Sequence, residues 1–498
     1  MKTTWAKLDS LHLTPNANAS RRVQAAFECK DRGDYGGAQT VMRPLWKRVG
    51  ERPDTNGLEP SVVAELLLCV GVLTRWIGSK NQIKGSESVA RDLITESITL
   101  YAGLGDARKV AEARSELAYC YWRAGALDEA RIMFGEALER LTTQGNTRAN
   151  ALLGLSVVEW AASRYNESLK ILTDNAPLFK GITNHTIKGF YHNTLAMVLR
   201  KLARAENRPA YLQRAVSEYH QADNQFKLAR NIPFRADVKN NVGNLLRELS
   251  RFKQARKYLD EARRLAVSIK DRVLVAQFDD SRASLLIAQR RPAEAEPIAR
   301  DSVRALERTE YKCLLADSLI THGIALARTG RQEQAQFTFQ RAVEVGREVG
   351  AHNKAGLAAL TLIEEIDQLP AEILTAAYEQ AGEWLTSCQS QDVWLRFITA
   401  GKKLAQQLRA ESGASEGSTE LLSNQSCYMP EEVLKFERRL ISQALAKADG
   451  RVTHAATLLG VGSSTARLHY RNAAHRLDQG TDSYPSPRKE ANMKEAHY

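Results

Sequence analysis

Apolar residues recur every three or four positions along most of this chain, in stretches separated by short polar turns. That period puts them on one face of an α-helix, so each stretch predicts a helix with one buried side. A finer pattern lies over this one. One unit reads Leu117-Ala118, Tyr121, Gly125, Leu127, Ala130, Phe134, Ala137. The same offsets return as Val242-Gly243, Leu246, Ser250, Phe252, Ala255, Leu259, Ala262, and as His322-Gly323, Leu326, Gly330, Gln332, Ala335, Phe339, Ala342. An earlier copy runs Ala25-Ala26, Cys29, Gly33, Tyr35, Ala38, Met42, Leu45, and weaker copies centre on Gly71, Ser156, Ala196 and Ala283. A small residue in one helix, and another twelve positions later across a turn, lets two antiparallel helices approach closely. Large residues at the intervening positions fill the space toward the next pair.

Two units depart from this spacing. Gly71 meets its partner at Ala90 and Ala196 at Ala215, about seven residues late, which predicts longer helices or loops there. The eight anchors from Ala26 to Gly323 stand about 42 residues apart on average, and a degenerate ninth pair between Ala359 and Gln380 is expected to cap the stack.

The small–large–small offsets resemble the tetratricopeptide repeat, whose standard unit is roughly 34 residues. The resemblance implies an all-α solenoid over residues 20–408, preceded by an N-terminal segment, 1–19. It also implies that the first helix of each pair lines a concave surface. Residues three before, one after and four after the anchor would then face the groove. They include Asn193 and Arg200 in one unit, and Asn240, Asn244 and Arg247 in the next. Asparagine amides donate and accept together, which suits an extended peptide backbone, and the arginines suit a carboxylate. Apolar groove candidates come earlier, at Tyr119, Trp122 and Trp160. The competing reading is that the asparagines bond neighbouring helices and the aromatic rings only fill the solenoid, as expected also for Phe190 and Met197.

Composition changes after Leu408. Residues 409–426 are rich in Ser, Gly and Glu and predict a linker, and residues 478–498 have no apolar period and predict a disordered tail. Between them, Pro430 with Glu431 and Glu432 suits a helix start, and Val433, Phe436, Leu440, Ala444 and Ala448 share one helical face. A short helix follows from Thr453 to Leu459, then a Gly460-Val461-Gly462 turn. Ser463 can cap a last helix reaching about Leu477. The run Arg451-Val452-Thr453-His454-Ala455-Ala456-Thr457-Leu458-Leu459-Gly460-Val461 resembles the Fis-type helix-turn-helix. This resemblance implies a double-stranded DNA reader over 427–477 that acts as a homodimer, paired through Glu432 to Ala448. Ser463, Ser464, Thr465, Arg467 and Arg471 fall at the positions that would approach the groove. The recognition helix departs from the pattern, with Ser463, Leu468 and His469 where the family has cations, and Ala466 where it has leucine.

Charge agrees with that reading. The chain carries +12 overall, and 427–477 holds eight Lys or Arg against four Asp or Glu, with no acid between Arg451 and Arg476. Hydrophobic residues at 43% and charged residues at 26% exclude a disordered chain. The apolar run Val62 to Leu73 is interrupted by Glu65, and Met1 to Ser20 lacks a signal-type apolar core, so a cytoplasmic protein with no membrane span is expected. Six scattered cysteines without a C-x-x-C pair argue against a disulfide framework or metal site. No phosphate loop, zinc-protease helix or nucleophile elbow occurs, so neither catalysis nor a cofactor is expected. The sequence thus reads as a bacterial transcription regulator with a partner-binding solenoid. The alternatives are a scaffold or adaptor that does not bind DNA, or a regulator of a signalling enzyme.

Overall fold

The small anchors are what set the architecture. The computed structural model describes residues 13–205, 208–385 and 391–411, and among these there are twenty helices and no strand. Nine antiparallel pairs are followed by one more helix. The first helices of the pairs are α1 (Pro15–Asp31), α3 (Pro60–Lys80), α5 (Ala107–Arg123), α7 (Asn146–Ala161), α10 (His185–Ala205), α12 (Ile232–Glu248), α14 (Arg272–Ala288), α16 (Lys312–Arg328) and α18 (His352–Glu365). Their partners are α2 (Tyr35–Met42), α4 (Ser86–Gly103), α6 (Leu127–Arg140), α8 (Tyr165–Asp174) with the short α9 (Ala176–Gly181), α11 (Ala210–Leu228), α13 (Phe252–Ser268), α15 (Pro292–Glu307), α17 (Gln332–Glu348) and α19 (Ala371–Leu385). The last helix is α20 (Gln391–Glu411). The chain is an all-α helical-repeat solenoid.

Every anchor is buried against its partner. Ala26, Ala118, Ala196 and Ala283 are inaccessible, and so are Ala38, Ala130, Ala215 and Ala295 opposite them. Ser156 and Ser168 keep the same close approach with a hydrogen bond of 2.9 Å between their hydroxyls, and Ser168 Oγ lies 2.8 Å from the Ser156 carbonyl. A β-carbon at Gly323 would stand 2.6 Å from the Phe339 ring, so this helix crossing requires glycine. The start of α1 differs from expectation: it begins inside the segment 1–19, because Thr14 Oγ1 accepts the Ala17 amide at 3.3 Å and Pro15 suits the first helical position. At the other end, α20 continues to Glu411, past Leu408.

Four of the seven extra residues of the second and fifth pairs lengthen the first helix, and the rest fall between its end and the partner's small residue. Both α3 and α10 have 21 residues, where α12 has 17. Among the described residues α3 is also the one helix long and apolar enough to cross a membrane, but most of it is buried. Its neighbours are α1, α2, α4 and α5, and a helix covered on all sides is apolar on all sides.

The extra turn of α3 has a tertiary consequence. It carries Lys80 to within 3.1 Å of Asp271, at the start of α14, five pairs further on. Beside this contact the turn after α1 meets the starts of α10 and α12. The Asp31 carbonyl, an orphan at a helix end, accepts from Thr186 Oγ1 at 2.6 Å and Asn231 Nδ2 at 2.8 Å. The Asp31 carboxylate accepts from Asn184 Nδ2 at 2.8 Å. The stack therefore curls until its first pair touches its fifth and sixth, and the concave face between them becomes a cavity that stays partly open to solvent.

Candidate functional site

The cavity inside the curl measures about 550 Å³. One wall is built by the three-before, one-after, four-after positions: Ser115, Tyr119 and Trp122 from α5, Leu153, Val157 and Trp160 from α7, Asn193 and Met197 from α10. Phe27, Trp76 and Phe234 supply the opposite side, brought there by the curl. Phe190 lines the cavity too and packs edge-on against Phe234, with ring centroids 4.6 Å apart. Trp76 lies edge-on to Phe234 at 5.9 Å and stacks on Tyr35 at 6.0 Å.

One polar chain crosses this aromatic lining. Arg75 donates to Glu116 at 2.6 Å, and its guanidinium lies 4.9 Å from the Tyr119 ring centre. Glu116 also accepts from Asn150 Nδ2 at 3.2 Å, while the Tyr119 hydroxyl donates to the Asn150 carbonyl at 2.9 Å. Burial, with the Glu116 carboxylate nearby, pushes the Tyr119 phenol well above its ordinary value, so it stays a neutral donor.

The groove residues expected from sequence divide among three places. Asn193 lines the cavity with only weak contacts, 3.4 Å to Met197 Sδ and 3.5 Å from Asn241 Nδ2 to its Oδ1. Arg200 is held by Glu248, which it contacts at 3.0 Å through Nε and again through Nη2, and Arg204 shares that carboxylate at 3.1 Å. Asn240, Asn244 and Arg247 lie along α12 but do not line the cavity. Asn244 Nδ2 donates to Ser281 Oγ at 3.2 Å, whereas Asn240 Oδ1, Arg247 Nε and the nearby Asp280 Oδ1 are buried without a hydrogen-bond partner. Buried polar atoms of this kind are completed by water or by a ligand. Tyr119, Trp122 and Trp160 are brought together in the cavity, and Phe190 and Met197, expected only to pack, line it as well. Sequence reasoning missed Phe27, Trp76 and Phe234; the signal for Phe27 was its place one after the anchor Ala26, and for Trp76 the late partner of Gly71.

Ser463, Ser464, Thr465, Arg467 and Arg471 lie outside the described residues, as do Cys388 and Cys427. Of the other cysteines, Cys29, Cys69 and Cys120 are buried and Cys313 is exposed. No cluster of metal-ligating side chains occurs among the described residues.

The closing contact also titrates. Burial and the neighbouring Asp271 carboxylate push the Asp237 carboxyl up to about 7, with Lys80 acting the other way. Burial raises Asp280 to about 7 as well, against the pull of Thr321, Ser318 and Arg247. Each folded-state value lies above the ordinary carboxylate value of about 3.9, so the folded protein holds these protons more tightly. Their stabilisation is complete below that unfolded value and is lost as pH rises through 7. The melting temperature should therefore rise between pH 8 and pH 6. Asp237→Asn should flatten part of that slope and Asp237→Asn with Asp280→Asn most of it; an unchanged slope in the double variant would exclude both groups.

Comparison with known proteins adds the following. Residues 235–268 match the tetratricopeptide repeat and residues 433–471 match the bacterial regulatory protein, Fis family. Among solved structures, a signal transduction ATPase with numerous domains and a tetratricopeptide repeat sensor, from Pyrococcus horikoshii, is 11% identical with a TM-score of 0.48. That similarity covers 74% of this chain, and the chain spans 55% of its length. The apo quorum sensor NprR from B. thuringiensis is 12% identical with a TM-score of 0.47, covering 69% of this chain and 91% of that one. A Rap protein complexed with competence and sporulation factor is 12% identical with a TM-score of 0.46, covering 68% and 99%. No match is found among curated protein sequences.

Proposed function

We propose that this chain, a tetratricopeptide-containing regulator with a Fis-type DNA-binding module, is a bacterial, cytoplasmic transcription regulator whose solenoid receives a protein or peptide partner. The observation that carries the proposal is the Fis-family match at 433–471, where seven Lys or Arg stand against two Asp or Glu. Lys and Arg release counterions from the phosphate backbone on binding, which supplies sequence-independent affinity. In a helix-turn-helix of this type Ser463, Ser464 and Thr465 would lie at the end that enters the groove, and Arg467 and Arg471, four positions apart, would share one face of the same helix. A homodimer through Glu432 to Ala448 would read two half-sites about one helical turn apart. The partner's place is the concave face, where Asn240 and Arg247 leave buried polar atoms uncommitted beside Asn244.

The test is salt-dependent binding of the full chain to duplex fragments, including those upstream of its own gene. Arg467→Ala should cost about 1–3 kcal/mol on the preferred sequence and relax the preference at one base pair, as loss of a guanine contact does. Arg471→Ala should weaken all sequences alike and flatten the salt slope by about one unit, as loss of a phosphate contact does. Absence of any salt-sensitive duplex binding would replace this reading with the adaptor. Leu468 and His469, where the family carries cations, are what favours that second reading.

A further inference from the structure

The cavity inside the curl differs from the polar row on α12 in what it can hold. Its charged lining residues cancel: Lys30, Arg75 and Arg123 stand against Asp31, Glu112 and Glu116. Each is also engaged. Lys30 pairs with Asp31 at 2.9 Å, Arg75 with Glu116 at 2.6 Å, Arg123 with Glu87 at 2.9 Å, and Glu112 with Lys109 at 3.2 Å. A net charge entering this space would lose its hydration and find no free counter-charge. An extended peptide fares no better, because each of its residues brings an N–H and a C=O that need partners. Here the Tyr119 hydroxyl is spent on the Asn150 backbone carbonyl and Asn150 Nδ2 donates to Glu116, which leaves few groups for a row of peptide units.

What remains is aromatic surface from Tyr119, Trp122, Trp160 and Phe190, the Trp160 indole N–H, which is buried without a partner, and the weakly engaged Asn193 amide. Asn193 has two donors and an acceptor, yet Nδ2 meets only the weak thioether acceptor Met197 Sδ, at 3.4 Å, and Oδ1 accepts from Asn241 at 3.5 Å, beyond the usual N–H···O range of about 2.7–3.2 Å. A volume of about 550 Å³ falls within the roughly 300–1,000 Å³ typical of small-molecule sites. We infer that the curl is an effector site for a neutral, flat, largely apolar small molecule carrying one carbonyl or amide group that meets Asn193. The site belongs to the solenoid alone and does not include the polar row on α12. Its failure would leave the proposed function standing, and the reverse also holds.

Two naphthalene dyes test this on the full chain. Neutral 6-propionyl-2-(dimethylamino)naphthalene has a ketone acceptor and emits at shorter wavelength in dry surroundings; 8-anilinonaphthalene-1-sulfonate offers the same ring system with a fixed negative charge. The neutral dye should bind saturably, one per chain, and at least about tenfold more tightly than the sulfonate. Asn193→Leu keeps the size of the side chain and removes the amide. It should weaken the neutral dye about two- to tenfold, the equivalent of one hydrogen bond, and shift its emission further to the blue. Val157→Trp places a ring inside the cavity and should abolish saturable binding with helix content preserved. If that variant does not fold, Asn193→Leu decides alone. Equal or tighter binding of the sulfonate would overturn the inference. So would non-saturable uptake of the neutral dye, or binding untouched by Asn193→Leu.

Discussion

Gly154→Ala should destabilise the protein, while the same change at Gly135 should stabilise it. Both glycines lie inside helices, α7 and α6. In an exposed helix interior, alanine gains up to about 1 kcal/mol over glycine. At Gly135 nothing stands within 4 Å of the new β-carbon, so a gain of about 0.5–1 kcal/mol is expected. At Gly154 the new carbon would overlap the ring of Phe134, which is wholly buried and packed edge-on against Tyr119 at 5.0 Å. Overpacking a core typically costs about 1–3 kcal/mol, more than the helix gains, so the sign reverses. Gly154→Ile adds three more carbons to the same space and should unfold the third and fourth pairs. Phe134→Leu should partly rescue Gly154→Ala although it is destabilising alone, because neighbours that share a space are not additive. Urea unfolding of the two alanine variants gives the comparison. A higher midpoint for Gly154→Ala would mean that the ring does not close over that glycine.

Residues of this kind are also why the solenoid was readable in the sequence. An anchor such as Ala118 or Ala283 can be only so large before its pair is pushed apart, so the constraint leaves a periodic trace. The groove rule followed from the same register, and it placed Tyr119, Trp122, Trp160 and Asn193 where the cavity lies. Two things escaped it. Arg200, read as a free cation for a carboxylate, already has one in Glu248 on the next pair. The enclosure itself depends on the rotation accumulated over five pairs, a sum of small angles that no single residue records. The late partner of Gly71 announced a longer helix, but not that its last residue, Lys80, would reach Asp271.

The sharpest consequence of that enclosure is expected at Asn231. This residue is inaccessible to solvent and uses both ends of its amide: Oδ1 accepts the Phe234 amide at 3.2 Å and caps α12, while Nδ2 donates to the Asp31 carbonyl across the curl. Asn231→Ala loses a helix cap worth typically about 1 kcal/mol and a buried hydrogen bond worth about 0.5–1.5 kcal/mol. A loss of about 2–3 kcal/mol follows once the Asp31 carbonyl is left short of a donor. Asn231→Asp separates the two roles. The carboxylate still caps the helix, where negative charge is favoured, but it turns an acceptor toward the Asp31 carbonyl and carboxylate. The pairs should stay helical while the first swings away from the fifth and sixth. Gly33 sits in the same turn at φ +69°, and a β-carbon there would lie 2.7 Å from Asn231 Oδ1, so Gly33→Ala should open the same contact from the other side. Hydrogen exchange should quicken at the amides of 31–35 and 184–187 in both variants. Because Phe27 would part from Phe234 and open the cavity wall, neutral dye affinity should fall at least about tenfold. Unchanged exchange and dye binding in Asn231→Asp would show that the first pair does not close on the sixth in solution.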